Sequence, residues 1–351
     1  MNKHATRMRT QLGATVAAAL LGLISTQAAT AGPRYDFTQP ELEAIVQDLI
    51  SWLPGAWDSY PQIHLERRVR TPAEGEHDHW HRTFARIDAP QIGPVVFYGQ
   101  INIGGRDGPL LPRSQILYTV EIDAARNAVN MNGQGPLDPD AVVNLHERPE
   151  LWSQVRMRDR AALNCDFLWR RDGAHLFAVL DGKTDDRRKH GPGTCNYNMA
   201  GTDVEFFADA EWVLSPDELW DYDINTIGGR QFIGRADRTH IRLYRTRGYR
   251  CKVSDAAGAR DWHAHDRGAK TAVRTGGGQD LQLMLLRAPM PAADAPGLAD
   301  RLRLLLKPAD QEKPTTEVAE AAGAARIELR ADGVTARCEA APELPPLTPP
   351  P

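Results

Sequence analysis

Three alternating histidines, His77, His79 and His81, have a spacing that could support chemistry. In a β-strand this spacing places the imidazoles on one face, where they could bind a metal ion, line a polar ligand pocket or form a solvated edge. Same-face neighbours lie roughly 7 Å apart, so an ion about 2 Å from each nitrogen is reached by at most two of them. Residues 262–266, Trp-His-Ala-His-Asp, repeat the pattern and could add ligands. We favour the polar pocket wall and expect no metal.

The sequence lacks the common motifs of hydrolases, metalloproteases and thiol-redox enzymes. G-x-S-x-G, H-E-x-x-H and C-x-x-C do not occur. Gly182-Lys183-Thr184 is similar to the end of a phosphate-binding loop, but the first glycine of that motif falls on Phe177. We therefore expect none of these enzyme classes.

The first 31 residues have the organisation of a secretory signal peptide. Lys3, Arg7 and Arg9 precede an apolar run at 12–24, and small residues at 29–31 form a cleavage site. We therefore expect an exported protein, periplasmic or extracellular, with no membrane span after cleavage. Without the three basic residues, 39 basic and 46 acidic residues remain, a net charge of about −7. This charge argues against nucleic acid as a partner.

Four cysteines follow the signal segment, and an even number in an exported chain predicts two disulfides. Three connectivities are possible. We favour Cys165–Cys195, because these residues flank a predicted hairpin, and Cys251–Cys338, because this bridge ties the C-terminal strands to the rest. Each bridge would contribute roughly 2–5 kcal/mol to stability.

The remaining pattern predicts one helix followed by many strands. Thr38 and Glu41 have the spacing of a capping box, apolar residues recur at helical spacing after them, and Pro54-Gly55 ends the helix. Short runs of strand composition then alternate with Gly, Asp and Pro turns, which predicts an all-β antiparallel barrel or sandwich. The predicted strands are 63–69, 77–87, 95–101, 115–122, 165–170, 175–181, 203–207, 211–214, 240–245, 281–287, 301–306, 327–329 and 334–338. The Pro-rich tail 341–351 is expected to be disordered.

Five sequence features occur in a fixed order within residues 40–250. They are 53–58 (LPGAWD), 77–84 with 95–100, 113–118 (RSQILY), 164–171 (NCDFLWRR) followed by Cys195, and 219–223 with 231–234. In type and order they resemble the motifs of the CpcT/CpeT chromophore lyase family, in the manner of its longer, exported, non-cyanobacterial members. The chain departs from that family at Gly99, where the family has Glu, and at Ser114, which is inserted between Arg113 and Gln115.

The resemblance implies a calycin- or lipocalin-like antiparallel β-barrel at residues 38–250, with one N-terminal helix and a C-terminal β extension at 251–340. It implies that the barrel binds a linear tetrapyrrole, a bilin, as ligand or substrate and needs no other cofactor. The implied activity is attachment of the bilin to a cysteine thiol of an acceptor protein, as in phycobiliproteins. The alternative is an exported, non-catalytic, lipocalin-like protein that binds a small apolar ligand.

The resemblance also implies which residues line the pocket. Arg113 would pair with a propionate, and Asp166 or Asp221 would face pyrrole N–H groups. Aromatic side chains would stack on the rings, and the histidines would belong to a polar mouth. The full expected set is His79, His81, Tyr98, Gln100, Arg113, Gln115, Tyr118, Asp166, Trp169 and Asp221.

Overall fold

The structure is a computed structural model that describes residues 36–342, except 70, 73–74, 159–164, 183–193, 199–201, 236, 238, 292–296 and 312. The predicted signal peptide and most of the Pro-rich tail therefore lie outside the described residues. In the described part, no helix is both long and apolar enough to cross a membrane.

Two α-helices occur in the described part, α1 (Gln39–Trp52) and α2 (Tyr60–Arg68). Helix α1 begins as predicted, because the Thr38 backbone N–H donates to the Glu41 carboxylate in a capping box. Helix α2 shows that the predicted strand at 63–69 was wrong. Pro61 stands in the first helical turn, where its missing N–H costs nothing. The run that follows is too short for its periodicity to distinguish a strand from a helix.

Twenty strands occur in the described part. Their bounds are β1 Gly55–Asp58, β2 Trp80–Ile87, β3 Val96–Ile103, β4 Ile116–Asp123, β5 Ala128–Gln134, β6 Cys165–Asp172, β7 His175–Gly182, β8 Thr194–Asn198, β9 Glu205–Leu214, β10 Glu218–Ile227, β11 Arg230–Ile233, β12 Ile241–Arg245, β13 Gly248–Asp255, β14 Gly258–His265, β15 Arg267–Arg274, β16 Asp280–Pro291, β17 Leu298–Lys307, β18 Thr316–Ala321, β19 Arg326–Ala331 and β20 Val334–Ala340.

Ten of the described strands close into an antiparallel barrel. Their order is β10-β12-β1-β2-β3-β4-β5-β6-β7-β9, and β9 pairs back onto β10. Strands β8 and β11 extend this sheet from β9 and β10. The all-β barrel with a helix at its start is therefore confirmed, with α2 as a second helix.

Several strands differ from the sequence prediction. Strand β2 begins at Trp80 rather than His77, and the His79 carbonyl just before it accepts a hydrogen bond from the Gly104 N–H in the turn after β3. The predicted strands 203–207 and 211–214 form one continuous β9. Strands β1, β5, β8, β10, β11, β13, β14, β15 and β18 were not predicted. Many of them carry polar or charged residues that hide the two-residue period.

The C-terminal region forms a β-sandwich of its own. One sheet has the order β14-β13-β20-β19 and the other β15-β16-β17-β18. Apolar side chains of both sheets, among them Val253, Leu283, Leu304 and Leu329, share one buried core. The barrel ends at Arg245 and the sandwich begins at Gly248, slightly before the predicted boundary at 250/251.

Both predicted disulfides are confirmed. Cys165–Cys195 joins β6 to β8, and Cys251–Cys338 joins the neighbouring strands β13 and β20. The structure therefore contains no free cysteine among its described residues.

Helix α2 connects the barrel to the sandwich. Tyr60 packs in one buried cluster with Met284, Leu286 and Leu305 of the sandwich. Gly268, at φ +97°, lies against the Tyr60 ring, and a Cβ there would come within 2.4 Å of Tyr60 Cδ1. Only glycine fits this close approach, which fixes how the sandwich meets α2.

Candidate functional site

Alternate side chains of each barrel strand point into the barrel interior. Trp80 and Phe84 of β2 share this core with Tyr118, Trp169 and Trp212. Helix α1 closes one end, where it contacts β4, β5 and β6. At the opposite end, Ile103, Ile116 and Phe167 are only partly buried. We call this end the barrel mouth.

The interior contains a buried ion pair between Arg82 of β2 and Asp221 of β10. Two strands, β12 and β1, separate β10 from β2, so the arginine side chain reaches across the interior. Its guanidinium carbon lies 4.8 Å from the Phe84 ring centroid and 4.3 Å from that of Trp212. Arg82 is 5% and Asp221 1% exposed, so each charge depends on its partner for stabilisation.

A second carboxylate, Asp223, follows on the same face of β10. Burial, and next the negative charge of Asp221, raise the pKa of Asp223 to about 7, while Arg82 opposes the shift. Burial also raises the pKa of Asp221, but the adjacent Arg82 favours its charged form. With a pKa of about 7, the Asp223 carboxyl holds a proton at mildly acidic pH, and its Oδ1 accepts a hydrogen bond from Asn225. We call Arg82, Asp221 and Asp223 the interior charge cluster.

Aromatic side chains surround the interior charge cluster. The Phe167 and Trp212 rings are stacked with centroids 4.7 Å apart, and Trp169 meets Trp212 edge-on at 6.0 Å. The Tyr118 hydroxyl lies 3.4 Å from Arg82 Nη2. Trp169 Nε1 is a buried donor that has no acceptor among the described residues. The interior thus combines flat apolar surfaces, a cation, two carboxylates and an unused N–H donor.

Three of the residues predicted to line the pocket, Tyr118, Trp169 and Asp221, face this interior. The structure brings them together with Arg82, Asp223, Phe84 and Trp212, which the sequence analysis missed. One available signal was the pattern Trp80, Arg82, Phe84, which puts a charged residue on an otherwise apolar strand face. Another was the same-face pair Asp221 and Asp223.

The predicted residues Tyr98 and Gln100 lie on the outer face of the barrel instead. The Tyr98 hydroxyl lies 2.8 Å from the Val142 carbonyl oxygen and 2.7 Å from Gln100 Oε1, and its single proton is donated between these two acceptors. Gln100 Nε2 donates to Asn144 Oδ1 at 2.8 Å. These side chains hold the 3₁₀ segment around residue 142 against β3, so the structure gives them a packing role.

Asp166 also points away from the interior. Its carboxylate accepts hydrogen bonds from Arg126 and Asn132, both at 2.8 Å.

Gln115 is buried immediately before β4. Arg113 is exposed in the turn that leads to β4, with φ +62°. Because β4 starts at the mouth, Arg113 lies near the mouth rather than inside it.

The three histidines of the opening pattern do not share one strand face. His77 Nδ1 lies 2.6 Å from Glu66 Oε1, and His77 Nε2 lies 3.0 Å from Thr239 Oγ1. His79 and His81 instead converge on Asp58, at the end of β1 on the outer face of the barrel. The predicted shared face was wrong because only His81 belongs to β2.

Asp58 is the centre of a second polar cluster, which His265 of the sandwich completes. His79 Nε2 lies 2.9 Å from Asp58 Oδ1, and His81 Nδ1 lies 2.9 Å from Oδ2. His265 Nε2 lies 3.9 Å from the same Oδ2. Burial alone would raise the pKa of Asp58, but the histidines lower it well below its usual range. We call these four residues the junction cluster.

A depression of about 590 Å³ lies elsewhere, on one sheet of the sandwich. Its lining includes Glu328, which pairs with Arg330 and Arg337 on the surface. Because these charges are partly exposed and satisfy one another, we assign no function to this depression.

No protein-family model matches the sequence, and no curated protein is significantly similar to it. Among solved structures, the chain is similar to the CRL protein of Arabidopsis, solved in its selenomethionine form, with a TM-score of 0.41 and 11% identity. The match covers 58% of this chain and 97% of that one. A likeness this distant supports no conclusion about family or function.

Proposed function

We propose that the barrel binds a linear tetrapyrrole through its mouth, with the interior charge cluster as the polar anchor. The observation that carries this proposal is the buried Arg82, shared by two carboxylates and packed against aromatic rings. An apolar enclosure with a few convergent polar groups is the usual form of a small-molecule site.

The chemistry of a bilin matches these groups. Its pyrrole nitrogens donate hydrogen bonds, which Asp221 and Asp223 accept, and its propionates are anions that an arginine pairs with. Its conjugated rings stack on flat side chains such as Trp169 and Tyr118. The proton on Asp223 is available near neutral pH, so this residue can protonate a bound pyrrole nitrogen.

The proposal extends to transfer of the bilin onto an acceptor protein. An acceptor thiol would add across a carbon–carbon double bond of the bilin, so that the S–H bond breaks and C–S and C–H bonds form without a change in redox state. The acceptor must supply the thiol, because all four cysteines of this chain are in disulfides. Asp223 is the group that would exchange the proton.

Export to the periplasm or the cell exterior is part of the same proposal. Two disulfides are typical of an oxidising compartment and rare in the cytosol. The acceptor should then also be an exported protein. Fractionation of cells that express the tagged full-length chain tests this, because retention in the cytosol would contradict it.

The decisive experiment is a spectral titration of the purified, oxidised protein with biliverdin and with phycocyanobilin. We expect a saturable red band that is shifted and sharpened at micromolar ligand, because protonation and rigid enclosure extend and order the conjugated system. Asp221→Asn should weaken the shift. Glu211→Gln is the matched control, because Glu211 lies on the opposite face of β9 from Trp212.

The titration also separates the two candidate functions. A folded protein that shows no bilin shift but takes up a fatty-acid probe would replace the tetrapyrrole proposal with the lipocalin-like one. Bilin binding without transfer to any thiol peptide would retain the binding site and remove the lyase activity.

A further inference from the structure

The junction cluster joins the barrel to the sandwich. Asp58 of β1 and His81 of β2 come from the barrel, whereas His265 ends β14 of the sandwich. All three residues are buried, with exposures of 0%, 2% and 5%. One ligand atom from each lies within 4.8 Å of the other two. Sequence positions 58, 81 and 265 are thus brought to one point only by the tertiary structure.

The two oxygens of Asp58 have different surroundings. Oδ1 accepts the Tyr60 backbone N–H at 2.8 Å and faces His79 Nε2 at 2.9 Å. Oδ2 faces the imidazoles of His81 and His265 at 2.9 and 3.9 Å. Oδ1 is therefore held by the protein, and Oδ2 points at the two histidines.

Two imidazoles and one carboxylate oxygen are a common donor set for late first-row divalent metals. Such metals lie about 2.0–2.2 Å from imidazole nitrogen and carboxylate oxygen. Ligand atoms within 4.8 Å of one another can reach that distance after side-chain shifts on the order of 1 Å. His79 would remain hydrogen-bonded to the other oxygen, as residues around metal ligands commonly do.

We propose that Asp58, His81 and His265 bind one divalent transition-metal ion of the Zn²⁺ type, which links the barrel to the sandwich. The ion replaces the protons that now lie between the imidazoles and Oδ2. His265 must then carry its ring proton on Nδ1, so its 3.3 Å contact with the Arg267 backbone N–H is lost. This proposal revises the expectation of no metal and is independent of the bilin site.

The test uses the purified, oxidised protein without a histidine tag, stripped with a chelator and dialysed against Zn²⁺ or Co²⁺. We expect one equivalent of metal per chain, an intense visible Co²⁺ spectrum and a higher unfolding temperature with metal. His265→Ala and His81→Ala should each weaken binding by more than ~100-fold. His79→Gln, which leaves the ligands intact, should weaken it by about 10–100-fold.

His263→Ala is the matched control, because His263 is exposed two residues earlier on the same strand. It should bind metal as the parent does. If an alanine variant fails to fold, His265→Asn keeps a polar side chain there and serves instead. The proposal is overturned if the folded parent binds no metal, or if binding survives loss of His81 and His265. Either result would leave the junction cluster as a hydrogen-bonded network only.

Discussion

Replacing Asp223 by Asn should change how the stability of the protein depends on pH. Asp223 is the second carboxylate near Arg82. Burial is the larger cause and the negative charge of Asp221 the next, and together they raise the pKa of Asp223 to about 7. Asparagine has nearly the same shape, keeps an oxygen that accepts the Asn225 hydrogen bond, and does not ionise. The substitution therefore removes a charge and leaves the packing almost unchanged.

The direction of the pH dependence follows from whether the folded or the unfolded chain holds the proton. Between about pH 4 and 7 the folded chain holds a proton on Asp223 that the unfolded chain has released. The free energy of unfolding therefore falls as pH rises through this window and levels off above pH 7. From pH 5 to 7 the fall is about 3 kcal/mol at most, at 1.36 kcal/mol per pKa unit. Asp223 is partly exposed, so water reduces this and we expect about 1–2 kcal/mol.

The assay is urea unfolding of the parent and Asp223→Asn at pH 5, 6, 7 and 8.5, with both disulfides intact. At pH 5 the two proteins should differ little, and at pH 8.5 the variant should be the more stable by about 1–2 kcal/mol. Asp203→Asn is the control, because it makes the same substitution at an exposed surface carboxylate outside the barrel interior. A stability difference that stays constant from pH 5 to 8.5 would refute the raised pKa of Asp223.

Three further predictions follow from the same structure. Arg82→Leu should lower the free energy of unfolding, measured with urea, by about 3–5 kcal/mol, because it leaves Asp221 buried without a cation. The double variant Arg82→Leu/Asp221→Leu should lose less stability. Equal losses in the two variants would contradict a coupled pair. Replacing Cys251 and Cys338 by Ser should lower the free energy of unfolding by about 4–5 kcal/mol, because the bridge joins residues that are 87 positions apart. An unchanged urea midpoint would show that the bridge does not constrain the unfolded chain. If the exposed Arg113 pairs with a propionate at the mouth, Arg113→Ala should weaken bilin binding in the spectral titration, and an unchanged affinity would remove it from the site.

Local signals in the sequence were sufficient for much of the fold. The capping box at Thr38 and Glu41 predicted α1, because these contacts form within one helical turn. The alternating runs on either side of Gly173 predicted the β6–β7 hairpin, since turn and strand signals act between neighbours in sequence. The residue pattern was misleading at 63–69, where a short run predicted a strand although the chain forms helix α2.

The candidate site could be predicted only in part. Tyr118, Trp169 and Asp221 were placed in the pocket through the family resemblance, and they do face the barrel interior. Tyr98 and Asp166 were placed there too, yet they lie on the outer face. The side-chain period of two shows which residues of a strand share a face, but not which face becomes the interior when the sheet closes.

The sequence by itself indicated helix α1, many of the strands, the favoured pairing of the cysteines and the all-β class. Only the tertiary structure decided that Arg82 meets Asp221, 139 residues later in the chain, and that His265 reaches Asp58. Such contacts depend on barrel closure and on the packing of the sandwich against α2, which are global arrangements of many strands. Local propensity acts over a few residues and therefore contains no information about which distant charges will share one buried space.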